Sequence, residues 1–154
     1  MGDIVYKIFL AICTVIILVE SWTWIKSMRE YHFSIKDNAE WCKYLQSTID
    51  DGVKLAEGSM RRVAVILTFI LMATIYTIPY YKAYIVAGGV IGNIIYFVLA
   101  TVYLINIRNI LIVGKMMHKR QSDVAMKLVS IQLLAASITS LLVAYYSIKY
   151  IIFG

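Results

Sequence analysis

One long apolar segment, residues 84–113, most constrains what this chain can fold into. Arg108 is its only charged residue, and a helix of this length exceeds the ~30 Å hydrocarbon core of a bilayer. Gly88 and Gly92 have the GxxxG spacing that lets a neighbouring helix approach closely. We therefore predict that this segment is the central helix of a membrane bundle, with Gly88 and Gly92 at a helix-packing contact.

Three other apolar segments accompany it, and the chain of 154 residues is 61% hydrophobic, above the ~45–50% of soluble domains. Pro79 follows the second segment and predicts its end, so that a short link joins the second and third segments as an antiparallel hairpin. The sequence thus predicts one all-α domain over residues 1–154, an integral membrane four-helix bundle. The predicted spans are 4–25, 63–78, 84–113 and 124–153, and the larger loops are 26–62 and 114–123.

The loop at 26–62 contains a further helical pattern. Asp37 and Glu40 have the spacing of a capping box, and Gly52 offers a stop. Apolar side chains recur between them at helical spacing, which predicts an amphipathic helix between the first and second spans. This helix would lie on the membrane surface or bind a cytoplasmic protein partner. The face concerned consists of Trp41, Tyr44, Leu45 and Ile49.

Positive charge flanks the spans unevenly. Of the 15 Lys and Arg residues, eleven lie in or beside the two larger loops, whereas only Lys7, Lys82 and Lys149 lie near the opposite ends. The positive-inside rule therefore predicts that both termini are outside and that the large loops are cytoplasmic. The same flanking pattern accounts for the net charge of +6 without nucleic acid, so the predicted partner is the lipid bilayer.

Two charged residues lie within spans at similar predicted depth. Glu20 is five residues before the end of the first span, and Arg108 is five residues before the end of the third. Because an acid beside an Arg costs less in a membrane than either alone, we predict an ion pair that fixes the register of the helices. The alternative is that Glu20 binds a proton or a cation.

Polar side chains also follow the third and fourth spans. They predict either a hydrogen-bonded seam between packed helices or the lining of a hydrated pathway. If several copies assemble, one seam would serve both purposes. The residues concerned are Asn93, Thr101, Asn106, Asn109, Gln132, Ser130, Ser137 and Ser140.

Residues typical of catalysis or cofactor binding are few. Both histidines, His32 and His118, lie outside the spans, which argues against a haem between the helices. The sequence has neither metal-ligand spacing nor a nucleotide-binding or hydrolase motif, so we predict no catalytic residue, metal or cofactor.

Three functions remain from the sequence. The first is a non-enzymatic membrane protein that forms or regulates a pore as a homo-oligomer, or that anchors a larger complex with other membrane subunits. The alternative is a small cation- or proton-coupled transporter that uses Glu20. An integral membrane enzyme is the third.

Overall fold

Helices make up nearly all of the described chain. The computed structural model describes residues 2–33, 39–114 and 123–154, and no strand occurs within these ranges. The prediction of an all-α fold, with a shorter helix between the first two spans, is confirmed. The helices are α1 (Gly2–Glu30), α2 (Ala39–Leu55), α3 (Ser59–Ala87), α4 (Gly89–Gly114) and α5 (Asp123–Phe153).

Four of these helices are long and apolar enough to cross a bilayer. α1, α3, α4 and α5 contain 26 to 31 residues, so each is longer than the ~30 Å hydrocarbon core requires. Large apolar side chains such as Phe9, Leu67, Phe97 and Leu141 are exposed on their outer faces, which suits lipid. The chain is therefore a multi-pass membrane protein.

The second spanning helix does not end before Pro79. α3 continues through Pro79 to Ala87, so the predicted end at residue 78 is wrong and residues 84–87 belong to α3 rather than to the third span. Pro79 is fully buried between helices. Membrane helices tolerate proline because neighbouring helices and side chains satisfy the backbone groups that it frees.

The turn between α3 and α4 is a single residue, Gly88. Gly88 and Gly89 have φ angles of 62° and 55°, in the left-handed region that glycine adopts at least cost. Gly88 is the C-cap of α3, and its N–H donates to the Tyr84 carbonyl at 3.1 Å. Gly88 is therefore a turn residue and not half of the predicted packing pair. Gly92 does lie at a close contact, since a Cβ there would be 2.9 Å from the Tyr84 carbonyl oxygen.

The central helix is α5 rather than α4. It contacts the other three spanning helices, as α3 also does, and it is the most buried of the four, whereas α4 packs mainly against α3 and α5. The prediction from the sequence was wrong because the high hydropathy of a helix is equally consistent with contact with lipid and with burial in protein. Small residues on the inner face of α5 let the other helices approach. The buried ones are Ser130, Ala136, Ser137, Ser140, Ala144 and Ser147.

The start of α1 and the end of α5 meet at one end of the bundle, which we call the terminal end. The Tyr150 hydroxyl donates to Asp3 Oδ1 at 3.4 Å, and the Tyr6 and Tyr150 rings pack edge to face at 6.2 Å between centroids. Lys82 of α3 joins them, with its Nζ 4.2 Å from the Tyr150 ring centroid. We call the opposite end, where α2 lies, the α2 end.

Helix α2 packs against its own bundle. Trp41 is fully buried, and its Nε1 donates to Ser130 Oγ of α5 at 2.6 Å. Tyr44 stacks on Tyr31 at the end of α1, with ring centroids 4.2 Å apart. Leu45 is buried in the same cluster as Trp41. The α2 end of the bundle is therefore covered by the apolar face of this helix.

The structure corrects the role predicted for that face. Trp41, Tyr44, Leu45 and Ile49 cover the bundle itself, so they are not an open surface for a bilayer or a cytoplasmic partner. An amphipathic pattern shows that one side of a helix needs an apolar surface, but it does not say which surface. α2 also continues through the predicted stop at Gly52 to Leu55.

Candidate functional site

A cavity of about 160 Å³ lies between the four spanning helices. All four contribute to its wall, so the cavity depends on the packing of the whole bundle. Its wall combines one acid, three amides and three aromatic rings with aliphatic side chains. The lining residues are Glu20 and Trp24 of α1, Phe69, Met72 and Tyr76 of α3, Val102, Ile105, Asn106 and Asn109 of α4, and Gln132, Leu133, Ala136 and Ser137 of α5.

Among the described residues that line this wall, Glu20 is the only acid. It is half-buried, and hydrogen bonding from Trp24, one helical turn along α1, and from Tyr76 of α3 stabilises its carboxylate. Its Oε2 atom is buried and has no hydrogen-bond partner within the described ranges. A carboxylate oxygen without a partner is costly in apolar surroundings, so this atom marks where a positive group or a proton would be stabilised.

Arg108 lies in a different place from the one that the predicted ion pair requires. It lines a second cavity, of about 190 Å³, whose wall includes Leu45, Ile49 and Gly52 of α2. The acid instead faces the aromatic side chains of Trp24 and Tyr76. Position in the sequence gives the depth of a residue in a span, whereas the side to which it points depends on how each helix is rotated in the bundle.

The two cavities adjoin. Five residues line both of them, which places the second cavity between the Glu20 cavity and α2. A route from the α2 end toward Glu20 therefore passes Arg108 and the apolar face of α2. The shared residues are Trp24, Phe69, Ile105, Asn109 and Leu133.

Part of the predicted polar seam belongs to the Glu20 cavity. Asn106, Asn109, Gln132 and Ser137 line it, and Thr101 lies beside it, where its hydroxyl accepts a 3.5 Å hydrogen bond from Gln132 Nε2. These side chains come from α4 and α5 and meet at the level of Glu20. They bring polar atoms into a region that is otherwise apolar.

The remaining seam residues lie elsewhere. Ser130 accepts the bond from Trp41, and Ser140 shares a 2.7 Å hydrogen bond with the Tyr80 hydroxyl. Asn93 is exposed on the outer face of α4, close to the terminal end. The predicted seam is therefore three separate environments, and only one of them contributes to the candidate site.

The aromatic wall of the cavity was not among the predicted site residues. Trp and Tyr are the residue types that concentrate at membrane interfaces, yet Trp24 and Tyr76 lie beside Glu20. Two spacings in the sequence could have indicated this wall. Trp24 is one helical turn from Glu20, and Phe69, Met72 and Tyr76 share one face of α3. What the sequence does not contain is the rotation of α3 that turns this face toward α1.

The chemistry of the wall suits a single positive charge. Within the described ranges no three His, Cys, Asp or Glu side chains group closely enough to hold a metal ion. The one carboxylate of Glu20 balances one unit of charge, and the amides around it add neutral oxygen acceptors. No protein family, no curated protein and no solved structure matches this chain.

Proposed function

We propose that the protein binds a monovalent cation or a proton at Glu20 and carries it across the bilayer, as a small cation-coupled transporter. The observation that carries this proposal is the buried Glu20 Oε2, which faces a cavity and has no hydrogen-bond partner within the described ranges. A purely structural carboxylate at this depth is expected to have its acceptor positions filled by protein donors.

The adjoining cavity supports the same proposal. Transport requires that Glu20 be reached from one side of the membrane at a time, and the second cavity extends from the shared wall to α2. α2 is joined to α3 by residues 56–58, where Gly58 has a φ of 90°. A small displacement of α2 would therefore open a route toward Glu20, and its return would close that route.

Flux through proteoliposomes tests the proposal. Purified protein is reconstituted, a pH or Na⁺ gradient is imposed, and the movement of the ion is followed with an internal fluorescent indicator. We expect gradient-driven movement in the wild type and its loss in Glu20→Gln, which keeps the shape of the side chain but removes its charge. Glu40→Gln, an exposed acid on α2, is the matched control and should transport as the wild type does.

The reading of this experiment depends on folding. Size-exclusion profiles and thermal stability are therefore compared for the three proteins before any flux is measured. A folded Glu20→Gln variant that transports at the wild-type rate would refute the proposal. Glu20-dependent current steps from single proteins in a planar bilayer would indicate a pore instead, because a carrier moves ions too slowly to give such steps.

A homo-oligomer is the second candidate, and Asn93 is the observation that favours it. Its amide is exposed on α4 among the exposed apolar side chains of Ile91, Ile94 and Phe97, a setting in which a polar group gains from a partner on another helix. In an oligomer the same amide would bond across the interface. Mass measurement in nanodiscs tests this: the wild type should contain more than one copy per disc, and Asn93→Leu should shift the distribution toward monomers.

A further inference from the structure

The wall around Glu20 also indicates what kind of cation fits there. We propose that the ligand is a small primary ammonium ion, R–NH₃⁺, with its charged end at Glu20 and its apolar group against Trp24, Phe69 and Tyr76. This inference rests on the proposed function, because it assigns a chemical class to the cation of the same site.

Aromatic rings distinguish an organic cation from a metal ion. A ring face attracts an ammonium group or the polarised CH groups next to it, and the attraction grows when water is excluded. Hard cations such as Mg²⁺ and Ca²⁺ instead take six or more oxygen ligands. The three aromatic side chains of this cavity outnumber its single carboxylate, which favours a cation that carries an apolar group.

The hydrogen-bonding groups match three N–H donors. Asn106 Nδ2 donates to the Val102 carbonyl at 2.9 Å, and Gln132 Nε2 donates to Thr101 Oγ1 at 3.5 Å. Each bond engages one of the two N–H donors of its amide within the protein, and the amide oxygens are available to accept. With Glu20 Oε2 and the amide oxygen of Asn109, the wall offers four acceptors, enough for the three N–H donors of a primary ammonium group.

The size and charge of the cavity further limit which ammonium ions would fit. A dry cavity of about 150 Å³ admits a molecule as large as benzene, so a cavity of about 160 Å³ suits an amine with about four to six carbon atoms. One carboxylate balances one charge.

Calorimetry of the full chain in nanodiscs tests this, with empty nanodiscs as the blank. The probes are n-butylammonium, 1-butanol as its neutral counterpart, and Na⁺. Phe69→Leu removes one ring alone, and Trp24→Leu removes a ring together with its hydrogen bond to Glu20. Trp22→Leu is the matched control, because Trp22 is on the same helix but 68% exposed on its outer face. Glu20→Gln removes the charge.

We expect the wild type to bind n-butylammonium but not 1-butanol, and Trp22→Leu to bind as the wild type does. Trp24→Leu and Phe69→Leu should each bind about 3- to 30-fold more weakly, the range of a cation–π contact. Either variant suffices if the other fails to fold, as shown by its thermal stability. Na⁺ affinity, where measurable, should be unchanged by the loss of either ring.

Two results would overturn the inference, and they are distinguishable. If a proton or Na⁺ binds in a Glu20-dependent manner while n-butylammonium does not, the inference fails and the proposed function stands. If folded Glu20→Gln binds every cation as the wild type does, both fail. Equal affinity of the wild type, Trp24→Leu and Phe69→Leu for n-butylammonium would also refute the aromatic contact.

Discussion

The Trp41 indole of α2 donates a 2.6 Å hydrogen bond to the Ser130 hydroxyl of α5, and that hydroxyl donates in turn to the Met126 carbonyl at 2.7 Å. Trp41 and Ser130 are both fully buried. The two bonds run from α2 to the backbone of the central helix. They attach α2 to the bundle at one defined point.

Replacing Ser130 with Ala should therefore loosen α2. The indole N–H would remain buried without its partner, at an expected cost of about 1–3 kcal/mol in the free energy of unfolding. Unfolding in a detergent titration measures this loss. Thr68→Ala is the control, because the exposed Thr68 hydroxyl bonds only within its own helix, to the Ala64 carbonyl. Equal losses for the two variants would contradict a special role for Ser130.

Gly92 and Gly52 should respond in opposite ways to an added methyl group. A Cβ at Gly92 would be 2.9 Å from the Tyr84 carbonyl oxygen, whereas one at Gly52 would meet nothing within 4 Å. Gly92→Ala should thus cost about 1–3 kcal/mol by forcing α3 and α4 apart. Gly52→Ala should be neutral or stabilising by up to about 1 kcal/mol, because Ala suits a helix interior better. Thermal unfolding of both variants measures these changes. A Gly92→Ala protein as stable as the wild type would argue against the close contact.

Tyr80 should depend on its hydroxyl group. The Tyr80 ring is fully buried, and its hydroxyl contacts Ser140 Oγ at 2.7 Å and the Ala136 carbonyl at 3.2 Å. Tyr80→Phe should therefore lower the free energy of unfolding by about 1–2 kcal/mol, since the Ala136 carbonyl loses this donor and the Ser140 hydroxyl loses its partner. Tyr145→Phe, at an exposed position, should change it little. A Tyr80→Phe protein as stable as Tyr145→Phe would show that packing of the ring alone suffices.

The orientation in the membrane stays a prediction, and the structure improves its test. Native Cys42 is half-buried against the bundle, so its failure to react would not report the side of the membrane. Ser47 is exposed on α2 and is the better site for a labelled cysteine, in a chain in which Cys42 and Cys13 are replaced by Ala.

In sealed right-side-out vesicles, an impermeant thiol reagent should leave Ser47→Cys unlabelled until the membrane is permeabilised. Phe153→Cys at the terminal end should react at once, because both termini are predicted to be outside. The reverse pattern would invert the topology without altering the fold.

Sequence patterns anticipated the number of spans and the presence of α2, because apolar runs and helical spacing depend on local chemistry. They failed for features that depend on how one helix packs against another. Pro79 is a helix breaker in water, yet in α3 it is buried and the helix continues to Ala87. Gly88 and Gly92 share a spacing, but only the geometry of the turn separates their roles.

The candidate site follows the same rule. Glu20 could be identified as an acid inside a span, and Asn106 and Gln132 as polar residues that need partners. That these three side chains meet around one cavity, with Arg108 in the next, follows from the rotation of α1 and α4 about their own axes. No periodicity within a single helix contains that rotation.

The single-residue turn at Gly88 has a consequence for how other molecules can meet this protein. With α3 ending at Ala87 and α4 beginning at Gly89, the hairpin offers no loop to an antibody, a protease or a glycosylating enzyme on that side of the membrane. An epitope inserted there would have to unwind a helix. Gly58, which is exposed and has open space around it, is the site where an inserted tag should leave the bundle intact.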